Sequence, residues 1–70
     1  MDTIDRLYFD DAVKALTEGG LNPEVTPETD TDYGAIRYKI TSATVGMTME
    51  VLMLFDQGIF VDQKIEVYRA

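Results

Sequence analysis

AIRYKITSATVGMTMEVLMLFDQGIFVDQKIEVY, residues 35–68, determines the architecture of this chain. Apolar and polar side chains alternate within it in three runs, AIRYKIT, MTMEVLMLF and IFVDQKIEVY. Alternation with a period of two is typical of strands that bury one face. Between the second and third runs, Gly58 suits the positive-φ position of a three-residue hairpin loop. The stretch therefore predicts a three-stranded antiparallel meander with the second run in the centre.

The registers of the two hairpins can be predicted as well, because a slip of one residue would move every side chain to the opposite face. In the first hairpin we expect Lys39 opposite Glu50. In the second we expect Phe55 opposite Ile59, which places Lys64 opposite Glu50 too. Opposite charges side by side contribute about 0.2–1 kcal/mol per pair, so this row of three charges favours both registers.

Before the meander, residues 3–18, TIDRLYFDDAVKALTE, have the apolar spacing of an amphipathic helix. Asp2 and Asp5 occupy the positions of an N-cap and a capping box. Gly19 and Gly20 predict the end of the helix, one of them in the left-handed conformation. The expected core side consists of Ile4, Tyr8, Ala12, Ala15 and Leu16, with Phe9 and Val13 on its flank.

Residues 19–32 are predicted to form an acidic surface loop. The run NPEVTPETDTD contains two prolines, four carboxylates and one aliphatic residue, Val25. Such a composition does not make a buried element, although it leaves the option of a short edge-like stretch at Val25. We therefore predict an α+β fold of a single domain, residues 1–70, with helix 3–18, acidic loop 19–32 and β-meander 33–69 in the order αβββ.

The net charge of −7 arises entirely from the N-terminal half of the chain. Nine of the 13 acidic residues lie in residues 2–32 against two basic residues, whereas four acids and four bases balance in residues 33–70. Such an asymmetry steers association with a positively charged partner. The same charge opposes direct binding to nucleic acid or to anionic lipid.

The side-chain inventory argues against catalysis. The chain has no His and no Cys, and its single Ser, Ser42, is expected at a hairpin. Acid–base or nucleophilic chemistry would depend on carboxylates, Tyr or Lys side chains that face outward on a flat sheet. We therefore expect no enzyme activity and no cofactor.

The sequence also indicates the cellular compartment and the capacity to bind metal. No apolar run approaches the ~20 residues that span a bilayer, and without Cys or a signal-like N-terminus we expect a reducing cytoplasm. Asp30-x-Asp32-x-Gly34 begins like a calcium loop, but the twelfth position, which should be Glu, is Thr41. We therefore expect no dedicated metal site.

Two surfaces remain as candidates for partner binding. On the first, carboxylates of the helix and the loop can present negative charge as a run of phosphates does, although solubility alone would also explain acidic residues there. Leu7, placed on the same helix face, would add an apolar contact. The candidate protein-binding residues are Leu7, Asp10, Asp11, Glu18, Glu24, Glu28, Asp30 and Asp32.

The second candidate surface is the sheet face away from the helix. Apolar side chains on this outer face would form a patch suited to self-association, and the alternative function is a small homo-oligomeric structural or assembly protein. On the opposite face, Met47, Met49 and Met53 form a stripe that either fills the core or binds a partner. The predicted self-association residues are Leu52, Leu54, Phe60 and Tyr68.

The chain resembles small acidic phage-encoded anti-CRISPR proteins, including a type I-C inhibitor with a helix followed by three strands. The resemblance covers the size, the element order and the acidic segments DRLYFDDAVKALTE and NPEVTPETDTD. It implies a DNA-mimicking inhibitor acting in the cytoplasm of a bacterial host cell. Independently of the resemblance, we expect a monomer or weak homodimer. The implied partner is a basic nucleic-acid-binding protein such as a CRISPR effector subunit, which the acidic side chains would contact in place of phosphates.

Overall fold

A computed structural model describes residues 6–69 of the chain. The fold is α+β: one helix, α1 (Phe9–Glu18), precedes an antiparallel sheet of four strands in the order β1-β2-β3-β4. The predicted class is confirmed, but the predicted count of three strands is wrong. The strands are β1 (Glu24–Thr26), β2 (Gly34–Ser42), β3 (Met47–Asp56) and β4 (Ile59–Arg69).

The additional strand, β1, lies in the segment predicted as an acidic loop, at the position where the sequence left the option of a short edge-like stretch around Val25. Val25 lies opposite Ile36 of β2, so the one aliphatic residue of the acidic segment marks the point where it joins the sheet. Pro23 and Pro27 flank the strand and restrict it to three residues, because proline cannot donate a ladder hydrogen bond. An edge position tolerates so short and polar a strand.

Helix α1 begins at Phe9, six positions later than predicted. Tyr8 is extended, with φ −93° and ψ 149°, and forms an antiparallel bridge to Ile59 at the start of β4. The Phe60 amide donates to the Leu7 carbonyl at 2.9 Å. This pairing holds the chain extended up to the helix; the expected capping residues Asp2 and Asp5, and Ile4, lie outside the described residues.

The end of α1 agrees with the glycine prediction. Gly20 has φ +80°, and its amide donates to the Thr17 carbonyl, while the Leu21 amide donates to the Leu16 carbonyl. This pair of bonds is the Schellman arrangement, in which a left-handed residue lets the chain close over the last carbonyl groups. The helix therefore stops where the glycine pair allows the turn.

The register of the first hairpin is confirmed and that of the second is wrong. Lys39 lies opposite Glu50, as predicted. The second hairpin has a two-residue loop, Gln57 and Gly58, both with positive φ, and a register shift follows between Leu54 and Phe55 of β3. A primed turn of this kind requires positive φ at both central residues, and the bulge moves the later pairing by two residues relative to the prediction.

The bulge also changes which side chains face each other across β3 and β4. Glu50 lies opposite Glu66, and Lys64 lies opposite Leu52. The predicted charge row through Lys39, Glu50 and Lys64 is therefore not formed. Instead Glu50 is 3.8 Å from Arg37 of β2.

The core lies between α1 and one end of the sheet. Its buried residues are one helix alanine and four sheet residues: Ala12, Ile36, Val51, Met53 and Phe55. Phe55 is fully buried, and the rings of Phe9 and Phe60 meet it edge-on at centroid distances of 5.2 and 5.9 Å. The Phe55 ring thus joins α1, β3 and β4.

The helix uses a narrower core side than predicted. Phe9, Val13 and Leu16 pack around Ala12, whereas Tyr8 and Ala15 are exposed. The shift follows from the late helix start, because Tyr8 precedes the first turn and does not lie on a helix face. Among the methionines, Met53 fills the core, Met49 is half-buried and packs against the core, and Met47 is half-buried.

No helix in residues 6–69 has the length and apolarity that crossing a membrane requires.

Candidate acidic interface

The acidic segment is fastened to the β3–β4 turn by Glu28. Its carboxylate accepts hydrogen bonds from the backbone amides of Gln57, at 2.9 Å, and Gly58, at 3.1 Å. The Gly58 carbonyl in turn accepts from the Phe9 amide at 2.9 Å. The same two-residue turn therefore holds both the acidic segment and the start of α1.

Gly34 allows this close approach. It is buried, and a Cβ at this position would lie 3.3 Å from the Phe9 ring and 3.5 Å from the Cβ of Glu28. A side chain here would push the ring or the segment away from β2. The absence of a side chain at the first position of β2 thus lets the helix start and the acidic segment meet.

Residues 29–32 form a closed turn that presents two carboxylates. The Thr29 hydroxyl accepts from the amides of Thr31, at 3.3 Å, and Asp32, at 3.0 Å. The Thr29 amide donates to the Asp32 carbonyl at 3.0 Å. These bonds use only the backbone of Asp32, so the side chains of Asp30 and Asp32 stay exposed.

Four carboxylates lie around the Glu28 anchor, and we call these four together with Glu28 the acidic end. Two adjacent shallow grooves share Glu28: Asp10 lines one of them, and Asp30, Asp32 and Asp56 line the other. Within residues 6–69 none of these acids forms a salt bridge, since the ion pair found there joins Arg37 and Glu50. The acidic end consists of Asp10, Glu28, Asp30, Asp32 and Asp56.

The other predicted binding residues lie elsewhere. Glu24 is opposite Arg37 and shares a groove with Arg37 and Lys39, so bases surround it. Asp11 and Glu18 are exposed on the side of α1 away from the core. Leu7 is not on the helix face where it was expected, because its backbone pairs with β4.

Asp56 was not among the predicted site residues. It is exposed and is the last residue of β3, and the Glu28 anchor brings the acidic segment to it. A signal was present in the sequence, because Asp56 directly precedes the hairpin turn at one end of the sheet. What the sequence did not show is that the acidic segment folds against that same turn.

The predicted self-association patch on the outer face is not assembled as expected. Phe60 packs on Phe55 at the core, on the face that α1 covers. The bulge places Phe60 opposite Phe55, so its side chain lies on the inner face of the sheet and not on the predicted outer face. Leu52 and Leu54 are half-buried. Tyr68 lies opposite Thr48, and its hydroxyl donates to the Glu50 carboxylate at 3.3 Å, so the outer face is a mixed polar surface.

The role of Glu28 as an anchor predicts a loss of stability on its removal. We expect Glu28→Ala to lower the free energy of unfolding by about 1–2 kcal/mol, because two charge-assisted hydrogen bonds are lost at an exposed site. Urea unfolding followed by circular dichroism measures the change. Glu18→Ala is the matched control, because it removes a carboxylate from the exposed helix face that has no hydrogen-bond partner within residues 6–69. Equal stability of the two variants would contradict the anchor.

In residues 6–69 no three acidic side chains are close enough together to hold a metal ion. Comparisons with protein-family models, curated proteins and solved structures gave no match.

Proposed function

We propose that this protein is a non-enzymatic inhibitor or adaptor that docks its acidic end on a basic, nucleic-acid-binding surface of another protein. The observation that carries the proposal is the gathering of four carboxylates, from α1, the acidic segment and the end of β3, around the Glu28 anchor. These groups come from distant parts of the chain, so their proximity is a product of the fold. No base in residues 6–69 forms an ion pair with them.

The geometry of the acidic end suits a charged partner. Glu28 is held by two hydrogen bonds, and the closed turn at residues 29–32 fixes the backbone that carries Asp30 and Asp32. A pre-ordered surface loses less conformational entropy on binding than a flexible one. Lys and Arg side chains that normally contact phosphates can contact such carboxylates instead.

The resemblance to anti-CRISPR proteins suggests the class of partner. A subunit of a CRISPR effector presents a basic channel to nucleic acid, and an acidic end placed there would compete with DNA. Under this proposal Asp10, Asp30, Asp32 and Asp56 stand in for phosphates, and Glu28 holds them in place. The protein acts by occupying the surface and performs no chemical step.

Competition with DNA tests the proposal directly. The immobilised protein should retain nucleic-acid-binding proteins from a lysate of its host cells at low salt. Retention should fall steeply as the salt concentration rises to about 0.5 M, because exposed charge pairs are screened, and added duplex DNA should release the same proteins. Retained proteins that lack nucleic-acid-binding surfaces, or that withstand both salt and DNA, would contradict the proposal.

A further inference from the structure

The two edges of the sheet differ in how they are protected. The β1 edge has three residues between two prolines, which is a common defence against pairing with another chain. The β4 edge has 11 residues and contains neither Pro nor Gly. An edge of that length and composition is a template for a further strand.

Among residues 6–69, contacts cover only the first residues of the β4 edge. Tyr8 bridges Ile59, and the Phe60 amide is bonded to Leu7. From Val61 to the end of the strand, β4 pairs with β3 alone among residues 6–69, and every residue is exposed. Ile65 and Val67 are 51% and 58% exposed, which is high for aliphatic side chains on the face that carries the core.

Two charged residues of β4, Lys64 and Glu66, lack salt-bridge partners within the described part of the chain. Glu66 lies opposite Glu50, a like-charge pair, and Glu50 is already in an ion pair with Arg37. Lys64 lies opposite Leu52, and neither Lys64 nor Glu66 forms a salt bridge in residues 6–69. Like charges directly opposite are destabilising. Arg37 and Lys64 share a surface groove with Glu66 but lie beyond salt-bridge distance of it, so a positive group from a second chain would relieve the repulsion between Glu66 and Glu50.

We infer that two copies of this chain pair through β4, antiparallel, about a two-fold axis at Ile65. In this register Lys64 of each copy lies opposite Glu66 of the other, so the dimer contains two such pairs of opposite charges. On the core face Ile65 meets Ile65, and Gln63 meets Val67. The symmetry is that of an isologous dimer, in which the same surface serves both copies, and the two sheets become one.

Neighbouring registers are less favourable. Moving the axis by one residue shifts the pairing by two residues, which is the smallest shift that keeps side chains on matching faces. Such a move puts the axis at Lys64 or at Glu66, where two like charges then lie opposite each other. An axis at Gln63 matches Asp62 with Lys64 but requires the strand start that Tyr8 already covers. The axis at Ile65 uses residues 61–69 of both copies, all of which are uncovered in the described part of the chain.

The distribution of charge allows the dimer in spite of the net charge of −7. Residues 33–70, which include β4, are neutral overall. The acidic end lies beside the turn before β4, so an antiparallel pairing places the two acidic ends at opposite ends of the assembly. This inference does not depend on the proposed partner, because it uses a different edge of the molecule.

Charge exchange between two variants tests the pairing. The wild-type chain should be a dimer by sedimentation equilibrium at about 10–100 µM, in the micromolar range of modest interfaces. Lys64→Glu alone and Glu66→Lys alone should each weaken dimerisation by about tenfold or more, because each creates two like-charge contacts. An equimolar mixture of the two variants should restore the dimer as a heterodimer. Lys14→Glu, with the same charge change on α1, should leave it intact.

Cysteine placement tests the axis, since the chain contains no Cys. Opposite residues of an antiparallel pair have Cα atoms about 4.5–5.5 Å apart, within reach of a disulfide. Ile65→Cys should therefore form a covalent dimer on mild oxidation, while Val67→Cys, on the same face, should not. A wild-type monomer throughout this range, a mixture that stays monomeric, or equal cross-linking of both variants would overturn the inference.

Discussion

Phe55→Ala is expected to lower the free energy of unfolding by about 3–5 kcal/mol, the cost of deleting a large buried aromatic side chain. Phe55 is completely buried, and the rings of Phe9 and Phe60 meet it edge-on. Its removal would leave a cavity where α1, β3 and β4 meet. A domain of 70 residues typically has a total stability of about 4–10 kcal/mol, so the substitution should remove from about a third to all of that stability.

Urea unfolding monitored by far-ultraviolet circular dichroism measures this effect. Phe55→Leu keeps most of the apolar volume and should stay folded with a smaller loss, so that a value can be obtained even if the alanine variant is unfolded. Val45→Ala, at a side chain that is 66% exposed in the β2–β3 turn, should change stability by less than about 0.5 kcal/mol. A cost at Phe55 no larger than that at Val45 would show that the core is not centred on this ring.

The sequence predicted the sheet most accurately where alternation and turn length agreed. The residues predicted for the inner face recur at every second position of β2 and β3, and the register from Gly34 opposite Phe55 to Ser42 opposite Met47 is the one expected. In the second hairpin the same alternating pattern predicted the wrong register. A two-residue turn at Gln57 and Gly58, together with a bulge, moves the pairing by two residues without changing the alternation of the later part of β4.

The start of the helix was not predictable from its local pattern. Residues 3–8 have helical spacing, but pairing with β4 extends the chain at Leu7 and Tyr8 and delays α1 until Phe9. Tertiary hydrogen bonds outweigh helix propensity there, as they commonly do at element ends. The same long-range contact brings the helix start to the β3–β4 turn.

The exposure of the acidic residues was predictable from the sequence, but their grouping at the acidic end was not. Asp10, Asp30 and Asp32 were expected to be exposed acids, and they are. Which acids lie together depends on contacts between segments that are far apart in sequence, chiefly the bonds from Gln57 and Gly58 to Glu28. Those contacts bring in Asp56 and leave out Glu24, and no local pattern carries that information.

The two proposed binding surfaces, the acidic end and the β4 edge, lie on different parts of the protein. The turn at Gln57 and Gly58 separates them: Glu28 and Phe9 are bonded to it, and β4 runs away from it toward the other end of the sheet. A dimer about Ile65 would therefore present two acidic ends on one assembly. Such an arrangement can raise the apparent affinity for a partner with repeated basic sites. Disrupting the β4 pairing would then weaken binding to a partner with several basic sites more than binding to a partner with one.

Asp30→Asn/Asp32→Asn is expected to reduce capture of the basic partner by about tenfold or more, since charge-assisted contacts contribute about 1.5–3 kcal/mol each in hydrogen-bonded geometry. Both side chains are exposed, and no hydrogen bond within residues 6–69 uses their carboxylates. The substitutions should therefore leave the fold and its unfolding midpoint unchanged. The salt dependence of binding should become shallower, because fewer charge contacts remain.

Asp11→Asn/Glu18→Gln is the matched control, because it removes the same amount of charge from the exposed face of α1. Binding of both double variants to the captured partner is compared with that of the wild type by titration at several salt concentrations. If the acidic end is the docking surface, the loop variant loses affinity and the helix variant does not. Equal losses in both would mean that net charge alone drives capture, and a loss in the helix variant alone would move the interface to α1. Either result would contradict the assignment, because the structure places Asp30 and Asp32 together on a fixed turn while Asp11 and Glu18 lie on a separate face.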